Sequence, residues 1–147
     1  MCRRNEDYHL RMLGIDYGVA RTGVAVTDAL SFMAQGVETI HNRNPEKIAE
    51  KVLEFAEKFQ VGIIVVGLPK NMNNTIGERG EATLKFVELL KSKTSCEVIT
   101  WDERLSTVSA IRTLNETNTR GAKRKAVIDT VAATIILQNY LDYKTKG

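Results

Sequence analysis

Three acidic positions, far apart along the chain, have the residue type to hold a hard cation: Asp16, the pair Asp102-Glu103, and Asp129. Asp16 closes the apolar stretch Met12-Leu13-Gly14-Ile15, and the chain then turns through Tyr17-Gly18 into Thr22-Gly23-Val24-Ala25-Val26. A carboxylate at the mouth of a buried strand is costly unless a cation meets it. With no histidine among the three, the donors are carboxylate oxygens, which suit Mg²⁺ or, in its place, Mn²⁺. Two such ions about 3.5–4 Å apart can activate water and stabilise the departing oxygen in phosphodiester hydrolysis.

The elements around these residues predict how they meet. A strand reads from Leu10 to about Tyr17, a turn from Gly18 to Arg21, and a second strand from Thr22 to Asp28. So short a turn pairs the two strands antiparallel. Gly36 to His41 reads as a third strand. Asn44 and Pro45 are a fitting N-cap and first residue for a helix to Phe59, with Ile48, Val52, Phe55, Ala56 and Phe59 on one face. Val61 to Gly67 is apolar without alternation, as in a parallel strand covered on both faces. Thr75 and Glu78 have capping-box spacing for a second helix that buries Phe86, Leu89 and Leu90. A fifth strand, Glu97 to Trp101, ends at Asp102-Glu103. A helix from about Leu105 to Leu114, a loop from Asn115 to Arg124, and a last helix from about Lys125 to Tyr143, apolar nearly all round and so expected to be well buried, complete the pattern.

This order predicts an α/β fold: a five-stranded mixed sheet, its first three strands an antiparallel meander, with helices on both faces. If strands one, four and five are parallel, Asp16, Lys70 and Asp102-Glu103 gather at one edge of the sheet. Asp129 shares a helical stripe with Ala133, Ile136 and Tyr140, which turns it toward the apolar body. Simpler roles stay open at this point. Asp129 fits equally as the N-cap of a helix starting at Thr130. Asp16 fits as an acceptor for turn N–H groups, and Asp102-Glu103 as first-turn charges facing a helix dipole.

With 147 residues, 43% hydrophobic and 27% charged, the composition is that of one folded domain. The expected division is an extension over residues 1–9, a domain over 10–143 and a tail over 144–147. The longest apolar run, Val61 to Leu68, is too short for a membrane span. No secretory signal pattern opens the sequence, and Cys2 and Cys96 lack the CxxC spacing of a zinc site, so a cytoplasmic location is expected. The net charge of +3 permits nucleic-acid binding without requiring it. Arg120, Lys123, Arg124 and Lys125 cluster before the last helix, either as a solvated loop or as a grip on phosphate.

Several motifs occur together: Gly14-Ile15-Asp16-Tyr17-Gly18 with Arg21, Gly23 and Ala25; Val66-Gly67-Leu68-Pro69-Lys70-Asn71-Met72; Trp101-Asp102-Glu103-Arg104-Leu105-Ser106-Thr107; and Lys123-Arg124-Lys125 through Asp129, Ala132-Ala133, Ile136-Leu137-Gln138 and Tyr140-Leu141. In this order, from about Leu10 to Leu141, they resemble the YqgF (RuvX) family of RuvC-like Holliday junction resolvases, described as pre-16S rRNA nucleases. The resemblance implies a ribonuclease H-like fold and Mg²⁺-dependent phosphodiester cleavage by Asp16, Glu103 and Asp129, with Asp102 orienting Arg104 or the turn. Asn74 stands where many members carry Gly, and Asn tolerates positive φ better than most residues. Ser106 replaces a common Thr and keeps its hydroxyl.

The expectation is therefore a nuclease acting near the 5′ end of precursor 16S rRNA, with ribosome precursors as partners. Arg21, Lys70 and Arg104 would contact phosphate near the site, and Arg120, Lys123, Arg124 and Lys125 would grip the backbone farther away. One alternative keeps the chemistry on a four-way DNA junction, where a homodimer rather than a monomer would be needed. An actin-like ATP-dependent kinase is disfavoured, because such enzymes enclose nucleotide between two domains. A non-catalytic RNA-binding assembly protein is the remaining class.

Overall fold

The computed structural model describes residues 11–28, 33–71, 73–105 and 122–146, with Leu105, residues 122–129, Thr145 and Lys146 described by backbone alone. The expected extension over residues 1–9, the helix from 105 to 114 and most of the 115–124 loop lie outside the described residues, apart from a short 3₁₀ turn at Glu103–Leu105.

Five strands form one sheet: β1 (Arg11–Asp16), β2 (Arg21–Thr27), β3 (Ala34–His41), β4 (Val61–Leu68) and β5 (Glu97–Asp102), in the order β3-β2-β1-β4-β5. β1 pairs antiparallel with β2, and β2 with β3, so the first three strands are the expected meander. β4 pairs parallel with both β1 and β5. All eight residues of β4 are buried, as its unbroken apolar run requires.

Helices α1 (Pro45–Lys58) and α2 (Glu78–Lys93) cover one face. α1 begins as the sequence predicts, with Asn44 Oδ1 accepting from the Glu46 N–H at 2.9 Å. It buries Ile48, Val52 and Phe55 against Leu13, Ile15, Val24 and Ile64. α2 departs from the expectation. It starts at Glu78 behind Gly77, and no side chain caps it. Thr75 is instead held within the preceding loop, its hydroxyl donating to Asn73 Oδ1 at 2.6 Å and accepting from Asn71 Nδ2 at 2.9 Å. The helix begins beyond Thr75, so that hydroxyl belongs to the loop and not to the helix N-terminus.

The opposite face carries α3 (Ala122–Lys146), longer than expected at both ends: it begins inside the predicted loop and extends through the predicted tail. The sheet is shaped to receive it. Gly14, Ala25 and Gly36 are partners across three adjacent strands and form a shallow furrow. A Cβ on Gly14 would stand 2.7 Å from Leu137 Cβ and 2.9 Å from the Ala133 carbonyl oxygen; one on Gly36 would meet Thr130 Cγ2 at 2.2 Å. Small residues at this row let the helix backbone approach the sheet. Farther along α3, Tyr140 meets the Trp101 ring edge-on, with centroids 5.6 Å apart, fastening the helix to β5. The helix is not buried all round. Ala133, Ile136 and Leu137 are fully covered, whereas Val131 is 41% and Tyr143 64% exposed, because α3 is the one described helix on this face.

Candidate active site

Strands β1, β4 and β5 run in one direction, so their carboxyl ends share an edge. That is where ligands bind in open α/β sheets. Asp16 ends β1 and is 3% exposed. Side chains alternate between the faces of a strand. Met12 and Gly14 face α3, so Asp16 lies on the α3 side as well. Ile15 pairs with Val66, which sets Gly67 level with Asp16 on the neighbouring strand.

Glu103, which opens the 3₁₀ turn after β5, is 2% exposed. A Cβ built on Gly67 would stand 2.9 Å from Glu103 Oε2 and 2.4 Å from Ile136 Cδ1. The missing side chain at position 67 is thus the space in which the Glu103 carboxylate lies. From β5 it reaches over β4, toward the strand that carries Asp16. Adjacent strands are about 4.8 Å apart, so two buried carboxylates flank the end of a single strand.

Asp129 is placed by its helix. Because α3 is already helical from Ala122, Asp129 is interior to it and does not cap a helix beginning at Thr130. The expected stripe is real, with Ala133, Ile136 and Tyr140 all buried against the sheet. Asp16, Gly23 and Thr39 form one row across three strands. Thr39 Oγ1 lies 2.9 Å from Thr130 Oγ1, which pins the residue after Asp129 to that row. The side chain of Asp129 lies outside the described residues. Among the described residues, no three acidic, histidine or cysteine side chains form a cluster of metal-binding size.

Asp102 has a different environment. Trp101 packs on the α3 side, so Asp102 turns to the other face of β5. It accepts from the Arg104 N–H at 2.9 Å, from Nε at 3.1 Å and from Nη2 at 2.7 Å. The same guanidinium donates to the Asn71 carbonyl at 3.3 Å and to Asn74 Oδ1 at 2.9 Å. Arg104 therefore latches the end of β5 to the loop after β4. Asn74 has a φ of 71°, the left-handed backbone that its side chain tolerates. The hydrogen bond from Arg104 holds the Asp102 carboxyl below the ordinary carboxylate range, with a smaller contribution from Lys70.

Arg104 was expected to meet phosphate, yet each of its three guanidinium nitrogens already donates within the protein. Lys70, half-buried just past β4, and Arg21, which opens β2 opposite His41, both stand at the carboxyl edge. Lys123, Arg124 and Lys125 occupy the first turn of α3 by backbone position; their side chains, and Arg120 as a whole, lie outside the described residues.

Arg79 is a cation that sequence reasoning missed. Its Nη2 lies 3.5 Å from Asp16 Oδ1 and 3.4 Å from the Tyr17 carbonyl oxygen. The need was legible, since a buried strand-end carboxylate calls for a cation. The supplier was not: Arg79 sits in the first turn of α2 beside Glu78, where a basic residue reads as a solvated charge.

The comparison with protein families decides where the chain belongs: residues 10–143 match the RuvX family, described as "Holliday junction resolvase". The chain is a member of the RuvX family. This RuvX chain is 50% identical over 134 residues to a Clostridioides difficile (strain 630) protein named "Putative pre-16S rRNA nuclease", covering 91% of this chain and 95% of that one. A protein of the same name from Clostridium novyi (strain NT) is 47% identical over 133 residues, covering 90% of this chain and 98% of its own. Among solved structures, Thermus thermophilus RuvC in complex with a Holliday junction substrate superposes with a TM-score of 0.60 at 16% identity, covering 94% of this chain and 97% of RuvC. The fowlpox virus resolvase in complex with Holliday junction DNA follows, with a TM-score of 0.50 at 9% identity, covering 92% and 99%. At such identities the likeness is one of fold, and it establishes the RuvC-like ribonuclease H architecture.

Proposed function

We propose that this RuvX chain is a Mg²⁺-dependent nuclease that hydrolyses phosphodiester bonds in structured nucleic acid, with the 5′ end of precursor 16S rRNA as its substrate. The observation that carries this reading is the pair of buried carboxylates, Asp16 and Glu103, flanking Gly67 at the carboxyl edge of the sheet. Two acids this deeply covered are poorly placed for solubility or surface charge, and their burial is costly unless a cation compensates it.

The donor set fits the ion. Both donors are hard carboxylate oxygens, both are rigidly based on strand ends, and the helix register of Asp129 allows a third. Asp16, Glu103 and Asp129 would hold Mg²⁺, for which Mn²⁺ would substitute. When bound, the ion supplies Lewis-acid polarisation of the phosphoryl group and a lowered pKa for water. The protein's own contribution is placement. Gly67 leaves room for the Glu103 carboxylate, the Gly14–Ala25–Gly36 furrow seats the helix of Asp129, and the Arg104 latch shapes the loop beside the site. Lys70 and Arg21 at the edge, with Lys123, Arg124 and Lys125 at the start of α3, provide positive charge for a phosphate backbone.

The names of the relatives support ribosomal RNA as substrate; ribosome precursors as partners and a cytoplasmic location belong to the same proposal. The family description and the RuvC-like fold support a second substrate, a four-way DNA junction cut by a homodimer. Purified protein is incubated with precursor 16S rRNA and with a synthetic junction, each with Mg²⁺ and with EDTA. Cleavage of the RNA in Mg²⁺ alone is expected. Junction cleavage by a dimer transfers the assignment to DNA, and binding without turnover on either substrate removes the nuclease assignment.

A further inference from the structure

Arg79 and Arg104 both stand near the carboxyl edge of the sheet, and they differ in what their guanidinium groups have left to give. Arg104 donates through Nε, Nη1 and Nη2 to Asp102, Asn71 and Asn74. Arg79 donates through Nη2 alone, at 3.5 Å to Asp16 and 3.4 Å to the Tyr17 carbonyl, both long for a charge-assisted bond. Its Nε and Nη1 have no partner among the described residues. The Arg79 side chain is 42% exposed while its Asp16 partner is 4% exposed, so the guanidinium stands between solvent and the buried carboxylate. Its backbone is fixed in the first turn of α2, where the Arg79 carbonyl accepts from the Thr83 hydroxyl at 2.9 Å.

We infer that Arg79 is a phosphate-binding arginine of this site: Nη2 stays on the Asp16–Tyr17 strand end while Nη1 takes a non-bridging oxygen of a nucleic-acid phosphate. A guanidinium suits this double duty, because it is always charged and its five N–H donors point in fixed directions. Contact with both Asp16 and a phosphate would register the nucleic-acid backbone against the carboxylates without reading a base. The assignment rests on the nuclease reading above, in that it presumes a nucleic-acid ligand at the Asp16 edge. It asks nothing of the metal or of the cleavage step.

The test is binding in EDTA, where no cleavage occurs, using a fluorescein-labelled RNA hairpin with single-stranded arms. Affinity is measured by anisotropy over a range of salt concentrations for wild type, Arg79→Gln, Arg79→Lys and Arg104→Gln, with Tm recorded for each. Loss of one phosphate contact lowers the slope of log affinity against log salt by ~0.7–0.9. Arg79→Gln is expected to lower that slope by this amount and to weaken binding about tenfold at low salt. Arg79→Lys is expected to recover most of the slope, and Arg104→Gln to keep it. An unchanged slope in Arg79→Gln, with or without a lower Tm, confines Arg79 to neutralising Asp16 and overturns the assignment while leaving the nuclease reading intact. Failure of the wild type to bind the hairpin overturns both.

Discussion

Asp16 and Asp102 are both aspartates at the carboxyl ends of parallel strands, yet the fold gives them opposite fates. Asp16 points to the α3 side, is 3% exposed, and meets one arginine nitrogen at 3.5 Å. Asp102 points to the other side and is held by its neighbour Arg104 through the backbone N–H and two guanidinium nitrogens, at 2.7–3.1 Å. The first is buried and reached by an arginine from a distant helix; the second is held by a neighbour in sequence and stabilises a loop. Strand alternation decides between them. Glu103, one residue further and in a 3₁₀ turn, returns to the α3 side over Gly67.

If the two acids differ as the geometry says, substitution should separate them widely. Asp16→Asn and Glu103→Gln are each expected to lower Mg²⁺-dependent cleavage by at least ~100-fold while largely sparing nucleic-acid binding. Asp102→Asn should cost far less. Equal losses at Asp16 and Asp102, in a single-turnover assay, would erase the contrast. Gly67→Ala comes next. Its Cβ would fall 2.4 Å from Ile136 Cδ1 and 2.9 Å from Glu103 Oε2. We expect roughly 10–100-fold lower activity, as for groups that orient metal ligands, and overpacking of about 1–3 kcal/mol measured by urea unfolding. Full activity with unchanged stability would show that Glu103 does not depend on that space.

The furrow under α3 gives a stability effect of similar size. Gly14→Ala places a Cβ 2.7 Å from Leu137 Cβ and 2.9 Å from a helix carbonyl, so α3 must lift. A loss of about 1–3 kcal/mol is expected in unfolding, and activity should fall with it if Asp129 rides on the helix. The smallest effect concerns pH. The Asp102 carboxyl is held below its ordinary value by the Arg104 hydrogen bond, so the folded state binds that proton less readily than the unfolded chain. The latch therefore contributes its stability above the ordinary Asp value of about 3.9, and loses it as pH falls through the lower folded-state value. Denaturant unfolding as a function of pH should show a shallower acid-side decline in Asp102→Asn than in wild type. Identical profiles would mean that the latch adds nothing to folding.

The meander, the buried fourth strand and the first helix were legible because their signals are local. Alternation, an unbroken apolar run and an Asn-Pro helix start each act within a few residues. The 3.6-residue stripe through Ala133, Ile136 and Tyr140 was legible in the same way. Local reading failed where two local signals competed. Thr75 and Glu78 have the spacing of a capping box, but the Thr75 hydroxyl bonds to Asn71 and Asn73 instead. It also overstated the burial of α3, because an apolar outer side such as Val131 does not reveal how many elements will cover it.

The amino-acid sequence by itself determined which acids stand at strand ends and that the first strands pair as an antiparallel meander, since periodicity and turn length act over short stretches of backbone. Only the tertiary structure decided which arginine meets Asp16. Arg79 and Asp16 are 63 residues apart, whereas Arg104 and Asp102 are separated by two. Pairing at the first distance depends on how α2 is laid against the sheet, and a charge in a helix's first turn carries no sign of the carboxylate it will face.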